Sequence, residues 1–282
     1  MIGIITDTTC DIPEDLLQQY GIIVVPHSVI WGEEEYRDRV DLQPAEFYQR
    51  LETRSDLPRS SMPRIQDIKN AFETAIKRGA DSLVVLTVSS AMSGTYQLMK
   101  TIAKEFPLPI EVIDSKGPTM SLGWQVLAAA RAREAGADLK SIIEQVNRVR
   151  EKLVQVVGME TLKYLKYGGR IGSAAKWAGT LLQVKPVVSI NHNTGMVESV
   201  GVSRTHQAFV NLLYRKFFEQ IGSVKNLRIA VLHGNSLEEA KKLAERIHAE
   251  YNPKELLINI TGPVLGINTG PGALALCGYA ED

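Results

Sequence analysis

The chain has 282 residues, 44% of them hydrophobic, enough to build a core in one large or two modest domains. Its 32 basic and 32 acidic side chains give a formal net charge of zero, which argues against a general nucleic-acid binder and against a basic helix lying on a membrane. Cys10 and Cys277, the two cysteines, lie near opposite ends without metal-ligand spacing, which argues against a disulfide framework and fits a reducing cytoplasm; no signal peptide and no apolar run of about 20 residues is legible.

Ile2 to Ile5 reads as a buried strand running into the polar turn Thr6 to Thr9. Asp11 with Glu14 has capping-box spacing for a helix that Gly21 stops, and Ile22 to Val25 is a second strand. Val29 to Tyr36, centred on Gly32, predicts a hairpin or excursion, and Pro44 to Leu51 a short helix. Ser55 to Pro63 is rich in serine and proline and reads as a loop. Ile65, Ile68, Ala71, Phe72, Ala75 and Ile76 then make one face of an amphipathic helix ended by Gly79. Leu83 to Val88 is a strongly apolar strand, Ser89 to Thr95 a polar loop, and a helix runs on to about Lys104. Ile110 to Ile113 is a further strand ending at Asp114-Ser115. Helices follow from Met120 to about Ala135 and from a cap at Asp138 to Lys152.

This β-α-β-α order predicts a mostly parallel sheet with helices on both faces in an N-terminal α/β domain, residues 1–152. From 153 the texture changes, and residues 153–282 read as a smaller α/β domain with a mixed or antiparallel sheet. Its strands are Leu153 to Met159, Val187 to Ile190, Met196 to Val202, Leu227 to Leu232, Leu256 to Ile260 and Ala273 to Cys277. Asn191 to Gly195 is a hairpin signal. Helices are expected within Glu160 to Gly172, over Ser173 to Leu182, over Thr205 to Ile221, and after Ser236 with Glu239 as a capping pair. No internal repeat is present.

Ligands of open parallel sheets bind outside the carboxyl ends of the strands. Three polar loops fall there: Thr6 to Thr9, Ser89 to Thr95, and Asp114-Ser115. Ser93-Gly94-Thr95 precedes a helix, where free N–H groups suit an anion and a serine hydroxyl can donate to a carboxylate or phosphate; the plainer alternative is that Ser93 caps its helix. A nucleophilic Ser93 would need a base, and of the five histidines only His233, before Gly234, is placed at a strand end; a structural role fits it too. Asp7 and Asp114 could pair for acid/base or metal work, or each could cap its own loop. Arg170 stands in the glycine-flanked turn Gly168 to Gly172, suited to planar anions or to plain solvation. The stretch GPVLGINTGPG, 262–272, lacks the Gly-Lys-Ser/Thr of a phosphate loop and fits neither a dinucleotide fingerprint nor a strand-to-helix context.

Taken together, ITDTTCD, VVPHSVIWGEEEYRD, RSSMPRIQD, SSAMSGTYQ, METLKYLKYGGRIG, LLQVKPVV and GPVLGINTGPGALAL resemble, in order and spacing over nearly the whole chain, the DegV family of bacterial fatty-acid-binding proteins. The resemblance implies two domains and one long-chain fatty acid, such as palmitate, stearate or oleate, held in a tunnel with no cofactor. It implies a carboxylate bound by Ser60, with Ser61 beside it, and by Ser93 in the Ser93-Gly94-Thr95 turn, with Asn268 nearby. Arg170 and Asp7 are candidates for contact with the head group or a partner. It implies a separate kinase that phosphorylates the carboxylate to an acyl phosphate, the binding protein itself being no enzyme. Three departures stand out: Ser60 replaces a threonine, Met62 a glutamine, and Asn268 a histidine, so a titrating imidazole is missing at 268. Candidate tail walls are the helix Met120 to Ala135 and the segment Trp177 to Leu182, with ordinary core the plainer reading of both. An independent hydrolase or phosphotransferase using Asp7, Ser93 and His233 is the alternative.

Overall fold

A computed structural model describes residues 1–177 and 184–281. β1 (Ile2–Asp7) leads through a 3-10 turn, Thr8–Cys10, to α1 (Glu14–Gln19) and β2 (Ile23–Val25). An excursion follows: β3 (Ser28–Trp31), β4 (Glu34–Arg37), α2 (Pro44–Thr53) and β5 (Arg59–Ser61). α3 (Ile65–Lys77), β6 (Ser82–Thr87), α4 (Thr95–Ala103), β7 (Ile110–Asp114), α5 (Met120–Glu134) and α6 (Leu139–Lys152) complete the first half. The second half runs β8 (Val154–Gly158), α7 (Lys163–Gly168), a 3-10 turn Gly172–Trp177, β9 (Lys185–Asn191), β10 (Met196–Ser203), α8 (His206–Ile221), β11 (Leu227–His233), α9 (Leu237–Tyr251), β12 (Glu255–Ile260), α10 (Pro263–Thr269) and β13 (Leu274–Ala280).

The first sheet has the order β2-β1-β6-β7 and is parallel throughout, as expected from its helix-linked apolar strands. Strand alternation sends Ile5, Leu83 and Val85 against α3 and α4, and Ile4, Val84 and Leu86 against α5. The second sheet has the order β10-β9-β8-β13-β11-β12 and is mixed: only β11 and β12 run parallel. A third, three-stranded sheet, β4-β3-β5, is the hairpin read around Gly32 with one strand added.

α5 explains how the sheets meet. Residues 120–130 are all buried, whatever face of the helix they occupy, and a helix apolar all round must be enclosed. It is enclosed by the two large sheets, whose Val84 and Leu86 on one side and Val157, Leu232 and Ala275 on the other join it in one core. Trp124 lies at its centre, with Nε1 donating to Cys277 O at 3.0 Å. Trp124→Ala should cost about 3–5 kcal/mol. The excursion also reaches across: Val29, Trp31, Phe47 and Tyr48 pack on Val264 and Ile267 of α10. Gly266 permits this approach, since a Cβ there would stand 2.5 Å from Phe47 Cε1.

Several sequence expectations change. Asp11 caps no helix: Pro13 stands at the start of α1 without a side-chain cap, and Asp11 turns inward at φ 47°. Its Oδ1 accepts from Arg39 Nη2 at 2.6 Å and from Gly262 N at 3.0 Å, tying the first sheet's loops to α10. Ser236 likewise makes no side-chain cap, its N–H donating instead to His233 Nδ1 at 3.1 Å. Ser55 to Pro63 is not all loop, because Arg59–Ser61 pairs with β3. The stretch 262–272 does have a strand before it and a helix, α10, within it; glycine content concealed the helix. Ile65 and Ile76 flank rather than join the buried face of α3. The helix expected over Ser173 to Leu182 is a 3-10 turn as far as Trp177; the remainder lies outside the described residues.

Candidate functional site

Because β1 and β6 are neighbours and β6 pairs with β7, the three polar loops emerge side by side at one end of the first sheet. They do different things there. Asp114 ties its loop to the Ser89 loop, accepting from Ser90 N at 3.1 Å and Lys116 N at 3.0 Å. The other two loops, with β5 and α10, border a cavity of about 460 Å³ between the first sheet's strand ends and the face of the second sheet. That volume falls in the range of small-molecule sites, roughly 300–1,000 Å³.

The outer part of the cavity wall is polar and reaches solvent. Ser60, Ser61, Ser93, Gly94, Asn268 and Arg170 all line it. Ser60 arrives there because β5 pairs with β3, with Val29 opposite Ser60. Ser93 is not the helix cap; Gly94 occupies that position without a side-chain bond. Ser93 Oγ instead accepts from Thr95 N at 3.3 Å and lies 2.8 Å from Thr95 Oγ1, so Thr95, fully buried and off the cavity wall, buttresses the serine hydroxyl. Met62 overlies this turn: a Cβ on Gly94 would stand 2.8 Å from Met62 Sδ. Asn268 Nδ2 donates to Val264 O at 3.0 Å, while its Oδ1 has no partner among the described residues. Arg170 donates from Nε to Met92 O at 3.2 Å and from Nη1 to Gly168 O at 2.6 Å, strapping the α7 turn to the Ser93 loop.

Asp7 stands behind the wall rather than on it. Its carboxylate accepts from Thr9 N, Thr9 Oγ1 and Val88 N at 2.9, 2.5 and 2.8 Å. Burial alone would raise its pKa, but the neighbouring His27 and these donors hold it below the usual carboxylate range. His27 does line the cavity: Nε2 is 3.5 Å from Asp7 Oδ1 and Nδ1 is 3.1 Å from Ser61 O. Burial opposes its charge, yet the Asp7 carboxylate wins and raises its pKa. His27 was missed in the sequence, although Pro26-His27 after β2 is itself a strand-end position. His233 does not line the cavity and makes no contact with Asp7 or Ser93, so the triad imagined from sequence is not assembled.

The inner wall is apolar and comes mainly from the second sheet and α10: Val157, Met159, Val188, Ile190, Val197, Leu232, Val264, Leu265, Leu274 and Ala275, with Val88 and Met92 from the first half. The helix Met120 to Ala135 is spent on the shared core and Trp177 packs on that core, the plainer of the two readings the sequence allowed; residues 178–182 lie outside the described residues. Two buried polar side chains interrupt this wall, Gln155 and Thr119. Gln155 was visible as one polar residue inside the apolar run 153–159. Thr119 has φ 53° and ψ −138°, a conformation that costs a β-branched residue about 1–3 kcal/mol.

Among the described residues, no group of three or more His, Cys, Asp or Glu side chains could hold a metal, and no helix is long and apolar enough to cross a membrane.

Comparison with known proteins agrees with this architecture. A DegV domain-containing protein of Halalkalibacterium halodurans is 32% identical over 99% of each chain. A fatty-acid-binding DegV family protein from Thermus thermophilus superposes with a TM-score of 0.90 at 30% identity, covering 99% of both chains. DegV of Bacillus subtilis, described as a fatty acid binding protein, does so with 0.89 at 28% identity and 99% coverage of both. A stearic-acid-binding protein from Eubacterium ventriosum gives 0.91 at 25% identity, with 99% of this chain and 98% of that one covered. The family described as "Uncharacterised protein, DegV family" matches residues 1–281. By sequence and by fold alike, the chain belongs to the DegV family.

Proposed function

We propose that this chain binds one long-chain fatty acid, such as palmitate, stearate or oleate, with its carboxylate at Ser60 and Ser93 and its tail along the inner wall. The observation that carries this reading is that the hydroxyl-bearing outer wall and the apolar inner wall belong to one cavity. Burying a chain of about 14 methylenes at about 0.8 kcal/mol each would gross roughly 11 kcal/mol, before the costs of ordering and association. The tail thus supplies most of the affinity, and the hydroxyls fix the head, since a carboxylate without partners is costly to desolvate. Ser61, Gly94 and Asn268 complete the head site in this reading, and Thr95 acts through Ser93.

The protein presents the acid to a separate kinase, which converts the carboxylate to an acyl phosphate, and is not itself an enzyme. It works in the cytoplasm as two domains, residues 1–152 and 153–282. Arg170 is exposed beside the Ser93 loop, and in this reading it meets the head group or the kinase. Asp7 acts indirectly, through His27. Support for a carrier over a hydrolase comes from Ser93, whose hydroxyl is engaged by Thr95 rather than by a base. The test is direct: mass spectrometry of a denatured extract should recover a long-chain acid, and delipidated protein should bind palmitate or oleate on titration. Failure of both would end the proposal.

A further inference from the structure

Among the described residues on the cavity wall, Arg170 and His27 can carry charge. Arg170 is exposed and donates to two backbone carbonyls. His27 is buried, and its backbone is pinned on both sides: its N–H donates to Thr8 Oγ1 at 3.1 Å, and its carbonyl accepts from Asp38 N at 2.8 Å. The ring then meets two acceptors. Ser61 O, 3.1 Å from Nδ1, is a carbonyl and can only accept, so Nδ1 carries a hydrogen. Turning the ring over would set carbon against that carbonyl and lose the bond. Nε2 stands 3.5 Å from Asp7 Oδ1, and Asp7 takes three other donors that keep it a carboxylate. A bare Nε2 would aim its lone pair at that carboxylate. Protons on both nitrogens suit both neighbours.

We infer that His27 is a charged positioning residue of the head site: its imidazolium ties the Ser61 end of β5 to Asp7 and sets a positive charge in the wall that carries Ser60 and Ser93, so that acyl affinity falls when its proton leaves. The inference rests on the fatty-acid reading above. β5 has three residues and pairs with β3 alone, so a tether at its end restricts where Ser60 and Ser61 sit. His27 lines the cavity and Asp7 stands behind it, so an arriving carboxylate is nearer the positive member of the pair. Burial lowers the His27 pKa, but Asp7 of β1 and Asp38, in the turn after β4, together raise it. Arg39 follows Asp38, and its Nη2 donates to Asp11 Oδ1 at 2.6 Å. β5 offers the ring only the Ser61 carbonyl, and α10 has no titratable side chain. The proton favours the bound carboxylate, so binding takes up a proton. Affinity is then highest below the folded His27 pKa and falls as pH rises through it.

The experiment titrates delipidated full-length protein with stearate from about pH 5.5 to about pH 9, beside His27→Gln, which keeps a donor for Ser61 O but holds no charge. The ratio of the two affinities cancels titration of the acid itself. It should be about tenfold in favour of histidine at the acid end and shrink toward one at the alkaline end. Calorimetry of the unchanged protein in buffers of different ionisation enthalpy should show proton uptake on binding near the midpoint of that step. Nitrogen-15 spectra should show both His27 ring nitrogens protonated at about pH 6. These two readouts need no variant, so they decide the matter if the glutamine variant folds poorly. Asp38, raised by burial to about 6, titrates in the same range, and Asp38→Asn should keep the affinity step. A flat ratio, a neutral His27 ring, binding without proton uptake, or a step that vanishes in Asp38→Asn overturns the inference and leaves the fatty-acid reading intact. Failure of stearate to bind at any pH overturns both.

Discussion

The two walls of the cavity are built by different means. The outer wall is made of short segments: its serines come from Arg59–Ser61 and from Ser89 to Thr95, and the α7 turn and α10 add Arg170 and Asn268. The inner wall is the face of a six-stranded sheet, to which β8, β9, β10, β11 and β13 contribute residues spread over more than a hundred positions of sequence. In the proposed reading, local segments handle recognition of charge, and the long-range assembly handles recognition of length. The difference also sets how tightly each wall grips: many small dispersive contacts inside, a few directional ones outside.

The largest expected effect is on the inner wall. Ala275 sits on the central strand β13 between Leu232 and Val157, with its face to the cavity. Ala275→Phe should displace about four methylenes of ligand and weaken stearate binding by about 100-fold. Isothermal titration would read this, and an unchanged affinity would mean the tail lies elsewhere. Next comes the outer wall. Ser93→Ala removes a donor to a charged oxygen and should cost about 10-fold to 100-fold in affinity with little change in thermal midpoint. If Ser93→Ala exceeds Ala275→Phe, the ranking of the two walls is wrong.

A third prediction concerns the charges behind the outer wall. Burial raises the Asp38 and Asp11 carboxyls to about 6, with Arg39 opposing the rise in each. An acid whose folded pKa is raised stabilises most below its unfolded value, 3.8, and loses that contribution as pH climbs toward about 6. His27, raised from 6.5, keeps its contribution below that value and loses it as pH rises through its folded pKa. Asp7, depressed, contributes above 3.8 and fails only in stronger acid. The urea midpoint should therefore fall from pH 5 to pH 8. Asp38→Asn should recover about 1–3 kcal/mol at pH 8 and flatten the slope. A midpoint that rises with pH would show that these carboxyls are better solvated than their burial implies. The smallest effect belongs to Thr95→Val, which takes the second hydroxyl from the Ser93 pair and should weaken binding only a few-fold.

The same contrast decides what was legible in the sequence. The parallel sheet followed from helix-linked apolar strands; Ser93 stood out in a strand-to-helix loop, whereas Ser60 and Asn268 were named only through the resemblance of their segments to the DegV family. The inner wall could not be read: Val157 and Leu232 look like any core residues, and only the register of β13 between β8 and β11 turns them toward a void. Asp11 was misread because capping spacing is a local signal, and its true partners, Arg39 and Gly262, are distant in sequence. His27 escaped for the same reason, its meaning depending on Asp7 across a strand pairing.

The enclosed helix α5 has a consequence for inheritance and engineering. Both large sheets share it as filling, so cutting the chain after Lys152 would strip Trp124 and its neighbours of half their cover. Each half has a cluster of its own, around Phe72 in the first and Phe217 in the second, but the cluster around α5 draws on both. The halves should therefore melt in a single transition and should not be exchangeable between relatives piecemeal; a chimera joined at that point inherits a mismatched filling unless α5 and the sheet it faces come from the same parent.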